Sequence, residues 1–330
     1  MNSVLRIGMI GLDTSHAVDF TELLNDPNHQ HHVPGARVTV AFPGGSPDFE
    51  LSAGRVEGFT ETLRSKHGVD IVDTPELVAE RCDAILLESV DGRVHLEQFR
   101  RIAPYGKPVF IDKPLAVSSR DAEEIARVAE QHGVEVMSCS AVRFAQTLTE
   151  AVASEEGGAI IGADCYGPMD LQPTQPGLFW YGVHTADMLY AAMGTGCIRV
   201  QAHTNDVHDL IVGTWADGRI GTIRGNRRGN RRFGAWVHRE KQTLYADVYA
   251  SDKPYYALLL ESIVGWFAGG RPAVDLRETL EVVRFMEAAN ESRVTGQPVH
   301  SAFHRHSVRR PLPGKGGVHH DMAVSVGCAD

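Results

Sequence analysis

Three residue types able to move protons stand where a folded chain makes crevices. Ile111-Asp112-Lys113-Pro114 follows a short apolar run, Pro108 to Ile111, that reads as a buried strand. Lys113 then lies at the carboxyl edge of a sheet and faces the crevice where doubly wound folds bind ligands. In Tyr181-Gly182-Val183-His184-Thr185-Ala186-Asp187, the histidine and aspartate are three residues apart and share one face of a helix. An imidazole beside a carboxylate is held in one tautomer and tuned near neutral pH, as a proton carrier requires. A polar helix start uses the same residue types, and it is the conjunction with Lys113 that makes a site.

A second candidate is the turn Gly8-Met9-Ile10-Gly11-Leu12-Asp13-Thr14-Ser15-His16, placed where a dinucleotide-binding loop meets its helix. Aligning Gly11 with the first glycine of the G-x-G-x-x-G fingerprint puts Asp13 at the second and His16 at the third. A carboxylate thus stands where backbone must approach a pyrophosphate. Asp13, Thr14 or Ser15 caps the following helix, with or without a ligand contact. The acidic residue expected after the second strand is missing, because the chain runs Ala41-Phe42-Pro43-Gly44. No preference between NAD and NADP can be read. Glu88 adds another carboxylate at the end of a buried strand.

The elements that must position these residues follow from hydrophobic period. Val4 to Ile10, Arg37 to Phe42, Ala84 to Leu87, Pro108 to Ile111 and Val134 to Cys139 read as strands. Helical patterns at about 15–24, 75–80, 95–102 and 121–132 separate them, with Gly133 ending the last. Strand alternating with helix predicts a parallel, doubly wound sheet that closes near residue 142. Beyond it come a helix over 146–153, a stretch broken by Gly and Pro, and period-two strands between Ile198 and Ala250 with an Asp217-Gly218 hairpin turn. Helices return at 255–268 and 276–293.

Lys+Arg 32 against Asp+Glu 42 gives a formal net charge of -10, which repels phosphate backbones and anionic lipid surfaces, so neither nucleic acid nor membrane is expected as a partner. The N-terminus lacks a basic segment followed by a long apolar stretch, no apolar run reaches bilayer length, and a cytoplasmic location is expected. Cys82, Cys139, Cys165, Cys197 and Cys328 include no C-x-x-C pair and read as buried small hydrophobes. The arginines of Arg224 to Arg232 fit a local anion site or a solvated hairpin with subunit contacts. His29, His31 and His32, and His304, His306, His319 and His320 with Asp321, are irregularly spaced, and no metal site is expected.

The order of Gly-rich turn, Asp-Lys-Pro and Gly-x-His-x-x-Asp resembles the glucose-fructose oxidoreductase, inositol dehydrogenase and MocA (Gfo/Idh/MocA) family over roughly residues 4 to 300. Asp83-Ala84-Ile85-Leu86-Leu87 leading through Asp91 to His95 resembles its strand, ligand loop and helix start, and Ser140 to Phe144 its domain-crossing segment. Asp112 replaces the usual Glu. The resemblance implies NAD or NADP as cofactor and a polyhydroxylated small molecule as substrate. It implies that Lys113 hydrogen-bonds the reacting oxygen, His184 exchanges its proton, and Asp187 orients His184 or a substrate hydroxyl. Gly8, Gly11, Asp13, Thr14, Ser15, His16, Glu88, Asp91, His95 and Lys113 would line the cofactor, and Arg143 and Tyr181 the substrate. The departures at Asp13, His16 and Glu88 imply that the cofactor sits differently or has been lost.

The expectation is an α/β protein: an N-terminal Rossmann-type doubly wound parallel sheet, residues 1–142, and a C-terminal α+β domain with an open, mostly antiparallel sheet, residues 143–300. An irregular tail occupies 301–330. The expected activity is NAD(P)-dependent oxidoreduction of a sugar, polyol or related hydroxy compound. The alternatives are a lyase, isomerase or hydrolase with altered cofactor use, or a non-catalytic ligand-binding relic. An open sheet with an apolar face also predicts a homodimer or homotetramer.

Overall fold

The structure is a computed structural model that describes residues 4–301. Beyond Ser301, the tail expected at 301–330, with His304, His306, His319, His320, Asp321 and Cys328, lies outside the described residues.

Six strands alternate with helices: β1 (Leu5–Ile10), α1 (Ser15–Asn25), β2 (Ala36–Phe42), α2 (Glu50–Ala53), α3 (Val56–His67), β3 (Asp70–Ile71), α4 (Pro75–Arg81), β4 (Ala84–Leu87), α5 (His95–Ile102), β5 (Val109–Ile111), α6 (Ser119–His132) and β6 (Val136–Met137). They form a parallel sheet in the order β3-β2-β1-β4-β5-β6, the doubly wound order in which the winding reverses between β1 and β4. β4 and β5 are buried along their whole length, which is why their sequences are unbroken apolar runs. Thr74 caps α4 ahead of Pro75, Ser118 caps α6, and Gly133 ends α6 in the left-handed region.

A short 3-10 turn, Ala141–Phe144, leads into α7 (Gln146–Ala153), β7 (Ile160–Pro168) and α8 (Gly182–Met193). Then follow β8 (Cys197–Thr204), β9 (His208–Trp215), β10 (Ile220–Asn226), β11 (Gly234–Arg239), β12 (Thr243–Asp247), α9 (Tyr255–Phe267), α10 (Leu276–Thr295) and β13 (Val299–His300). The second sheet runs β12-β11-β7-β10-β9-β8-β13, antiparallel except between β7 and β10. The Asp217-Gly218 turn joins β9 to β10, with Gly218 at φ +90.

β7 crosses the stretch that reads as broken in sequence. Its glycines are places of close approach: a Cβ on Gly167 would sit 2.3 Å from the Phe233 ring, and one on Gly162 2.9 Å from the Ile220 carbonyl. α9 follows the second sheet in sequence, yet its Ala257, Leu260 and Ile263 share a core with Ala17 and Phe20 of α1 on the first. A contiguous division at residue 142 therefore does not describe α9. Among the described residues, no helix is long and apolar enough to cross a membrane.

At the switch point the ends of β1 and β4 touch. Gly11 has φ +87, and a Cβ there would lie 2.4 Å from the Ser89 amide nitrogen. Gly11→Ala is therefore expected to lose about 2 kcal/mol or more of stability through backbone strain and collision. Denaturant unfolding checks this, and an unchanged midpoint would show that the two loops can separate.

Candidate active site at the sheet switch point

Register brings the site residues together. Ile10, Leu87 and Ile111 are paired neighbours on β1, β4 and β5. The Glu88 amide donates to the Ile10 carbonyl (2.6 Å) and the Asp112 amide to the Leu87 carbonyl (2.8 Å), so the next residues also stand side by side. Glu88 and Asp112 are buried, as are Asp13 and Asp91 in the loops after β1 and β4.

Asp13 accepts from Ser52 Oγ at 2.6 Å and from the Val90 amide at 3.0 Å, joining the loops after β1 and β4 to α2. Burial raises its pKa against those two hydrogen bonds. Asp91 accepts from Arg93 and from Gln175 Nε2 (2.8 Å). Burial works against its ionisation too, but these hydrogen bonds outweigh it and hold the carboxyl at about 2. Asp112 Oδ2 lies 2.8 Å from His16 Nδ1, while His16 Nε2 lies 3.0 Å from the Tyr256 hydroxyl of α9. Burial raises the Asp112 pKa, and the charges of His16 and Lys113 more than reverse that, leaving it low. Glu88 is fully buried, and neither of its oxygens has a hydrogen-bond partner. Burial first, and the Asp112 charge second, push its pKa far above the carboxylate range.

Lys113 meets the other half of the chain. A cavity of about 10 Å³ is lined by Lys113, Ser138 and Cys139 from the first sheet's edge and by Val183 and Asp187 from α8. His184 is held well below its ordinary pKa, by burial first and then by the charges of Lys113 and His16. Its Nδ1 lies 2.6 Å from Ser140 Oγ, which also accepts from the Val142 amide at 3.4 Å. Ser140 thus holds the imidazole by its Nδ1 side.

Several expected roles change. Asp187 does not pair directly with His184: it accepts from the Ser140 amide and from Arg143 (2.6 Å), and reaches the imidazole only through Ser140. Arg143 is not open to a substrate, because its other arm donates to Glu278 at 2.6 Å and the guanidinium is buried between two carboxylates. His95 Nε2 lies 2.7 Å from the Ser89 carbonyl and Nδ1 3.0 Å from the Pro114 carbonyl, tying the β4 loop to the turn after Lys113. Asp91 and His95 therefore brace loops. Thr14 caps α1 by accepting from the His16 amide, and Ser15 is exposed beside it. Gly8 packs on α4, where a Cβ would sit 2.4 Å from Val78. Tyr181 stands edge-on to His184 with ring centres 5.2 Å apart and remains beside the site.

The seat for a pyrophosphate does not fit as the family pattern requires. The Gly11 and Leu12 amides donate to the Phe42 and Pro43 carbonyls at 3.0 and 2.7 Å. Asp13 fills the second-glycine position, and its buried carboxylate ties the loops after β1 and β4 to α2.

Ser52, Ser140, Tyr256 and Glu278 were not singled out in sequence. The only signal for Tyr256 is the Tyr255-Tyr256 pair opening α9, and nothing local links it to His16.

Residues 5–139 match the model of the Gfo/Idh/MocA oxidoreductase family, described as having an NAD-binding Rossmann fold. No curated protein matches the chain. Among solved structures it is similar to a scyllo-inositol dehydrogenase from Lactobacillus casei (14% identity, TM-score 0.73, 91% of this chain and 99% of that one). It is likewise similar to a probable dehydrogenase from Thermotoga maritima (19%, 0.73, 90% and 99%). A third is an oxidoreductase from Agrobacterium radiobacter in complex with NAD+, L-tartaric acid and magnesium (16%, 0.70, 91% and 99%). At these identities the likeness establishes the fold.

Replacing Arg143 with methionine strands the buried Asp187 and the half-buried Glu278 and is expected to cost about 3 kcal/mol of stability. Denaturant unfolding reads this; a loss below about 1 kcal/mol would mean that Asp187 and Glu278 find other partners.

Proposed function

We propose that the chain is an enzyme acting at a carbinol or carbonyl carbon of a sugar, polyol or related hydroxy compound. The observation that supports this reading is the approach of Lys113 to α8: it lines one small cavity with Val183 and Asp187, and its charge acts on the neighbouring, buried His184. Lys113 holds the reacting oxygen and stabilises negative charge on it. His184 Nε2 takes up or returns the hydroxyl proton, and Ser140 holds the ring by its Nδ1 side. Asp187 positions Ser140, and through it the imidazole.

The match of residues 5–139 to an oxidoreductase family with an NAD-binding Rossmann fold supports oxidation or reduction at that carbon with NAD or NADP. The dinucleotide would be held differently from the family pattern, away from Asp13. A second reading, proton transfer without hydride exchange in an isomerase or lyase, is favoured by the buried Asp13 and Glu88 carboxylates. A polyol and sugar panel, followed both for reduced dinucleotide and for substrate loss, separates them. Dinucleotide reduction supports the oxidoreductase; substrate loss without it supports the second reading.

Lys113→Ala and His184→Ala are each expected to slow turnover by roughly 10² or more while leaving the fold intact. Full activity in either variant overturns the assignment.

The open face of the second sheet supports a homodimer or homotetramer. Trp236 and Tyr245 are exposed there and paired in register across β11 and β12, and Ile220 of β10 and Ile161 of β7 are exposed as well. Light scattering is expected to give a multiple of the 36.0 kDa chain, and Trp236→Asp to shift it toward the monomer. A wild-type monomer at micromolar concentration removes this proposal. The free, buried thiols of Cys82, Cys139, Cys165 and Cys197 support a reducing, cytoplasmic setting.

A further inference from the structure

His16, Glu88 and Asp112 offer an imidazole nitrogen and two carboxylate oxygens that all lie within 4.8 Å of one another, and all three residues are buried. They come from the first turn of α1 and from the ends of β4 and β5, so the sheet register holds them in place. We propose that these three side chains bind a divalent first-row transition cation such as zinc or manganese.

Glu88 is the observation that points to a ligand. It is fully buried, its Oε2 lies 3.8 Å from His16 Nδ1, and neither oxygen has a hydrogen-bond partner. Its buried neighbours Asp13 and Asp91 are both satisfied, by Ser52 and Val90 and by Arg93 and Gln175. A buried acid left without partners among others fully supplied marks a missing counter-group. Lys113 is near enough to ease ionisation of Glu88 but does not hydrogen-bond to it.

The donor set fits the ion. Two carboxylates with a neutral imidazole carry a charge of about −2, which a dication balances, and mixed nitrogen and oxygen ligands suit zinc and manganese. Tetrahedral ligands at about 2.0–2.2 Å from an ion lie roughly 3.4 Å apart. The present separations of 2.8 Å (His16 to Asp112) and 3.8 Å (His16 to Glu88) bracket that spacing. The outer contact is also present: the Tyr256 hydroxyl at 3.0 Å from His16 Nε2 can accept its proton, leaving the Nδ1 lone pair for the metal. The expectation of no metal site considered only histidine runs in loops, and these ligands are 72 and 24 residues apart in sequence.

The inference is independent of the polyol reading, since ion uptake is measured without substrate. Chelator-treated full-length protein is titrated with Zn²⁺ alone and with Co²⁺ alone, following metal content, the visible spectrum of bound Co²⁺ and the melting temperature. One ion per chain is expected at this site, with a Co²⁺ spectrum and a raised melting temperature. Glu88→Gln, which keeps the shape and removes the charge, is expected to weaken uptake by about 100-fold, and Tyr256→Phe by about tenfold. No uptake by wild type overturns the proposal and leaves Glu88 a neutral buried acid. Uptake that Glu88→Gln leaves unchanged, as surface histidines would give, also overturns it. If Glu88→Gln does not fold, Tyr256→Phe and the Co²⁺ spectrum decide.

Discussion

Burial of four carboxylates at the carboxyl edge of one parallel sheet governs how this molecule is built around its crevice. Each charge taken from water must be hydrogen-bonded, paired or neutralised, or the fold bears an electrostatic penalty larger than most other single contributions. Asp13 draws in α2 through Ser52 and the β4 loop through Val90. Asp91 draws in Arg93 and, from the second half of the chain, Gln175. Asp112 takes His16, which α9 holds through Tyr256. The segments that close the crevice are thus recruited by the acids they satisfy.

The second half answers with the same physics. Arg143, just past the last strand of the first sheet, is clamped between Asp187 of α8 and Glu278 of α10, fixing those helices against the crossing segment. Asp187 also accepts from the amide of Ser140, whose hydroxyl holds His184 at Nδ1. Because His184 is buried close to Lys113 and His16, it stays neutral and free to accept a proton. The electrostatics that stabilise the junction between the halves therefore also prepare the proton carrier.

Much of the fold was legible because buried parallel strands leave an unmistakable pattern: the sequence boundaries of β4, α5 and α7 agree with the structure. α3 was missed because its surface is mostly polar, with few buried positions, and β7 because glycines needed for close packing read as breaks. Lys113 was legible as a crevice residue because it follows a strand directly. The partners of His184 and Asp187 were not, since Ser140 precedes them by more than forty residues and a hydrogen bond across that distance leaves no periodic trace. Arg143 looked available because sequence does not show that two acids already enclose it. His16 was read only against the glycine fingerprint, and its place beside Asp112 required the sheet register.

The central claim is that the buried carboxylate at position 13 holds the loops in an arrangement unsuited to a pyrophosphate. The most direct measurement is a fluorescence titration of wild type and Asp13→Gly with NADH and NADPH. Removing the carboxylate restores the small residue of the fingerprint and is predicted to tighten dinucleotide binding by about tenfold or more, equivalent to about 1.4 kcal/mol. Equal or weaker binding in Asp13→Gly would contradict the account, and weaker binding would mean that Asp13 itself contacts the ligand.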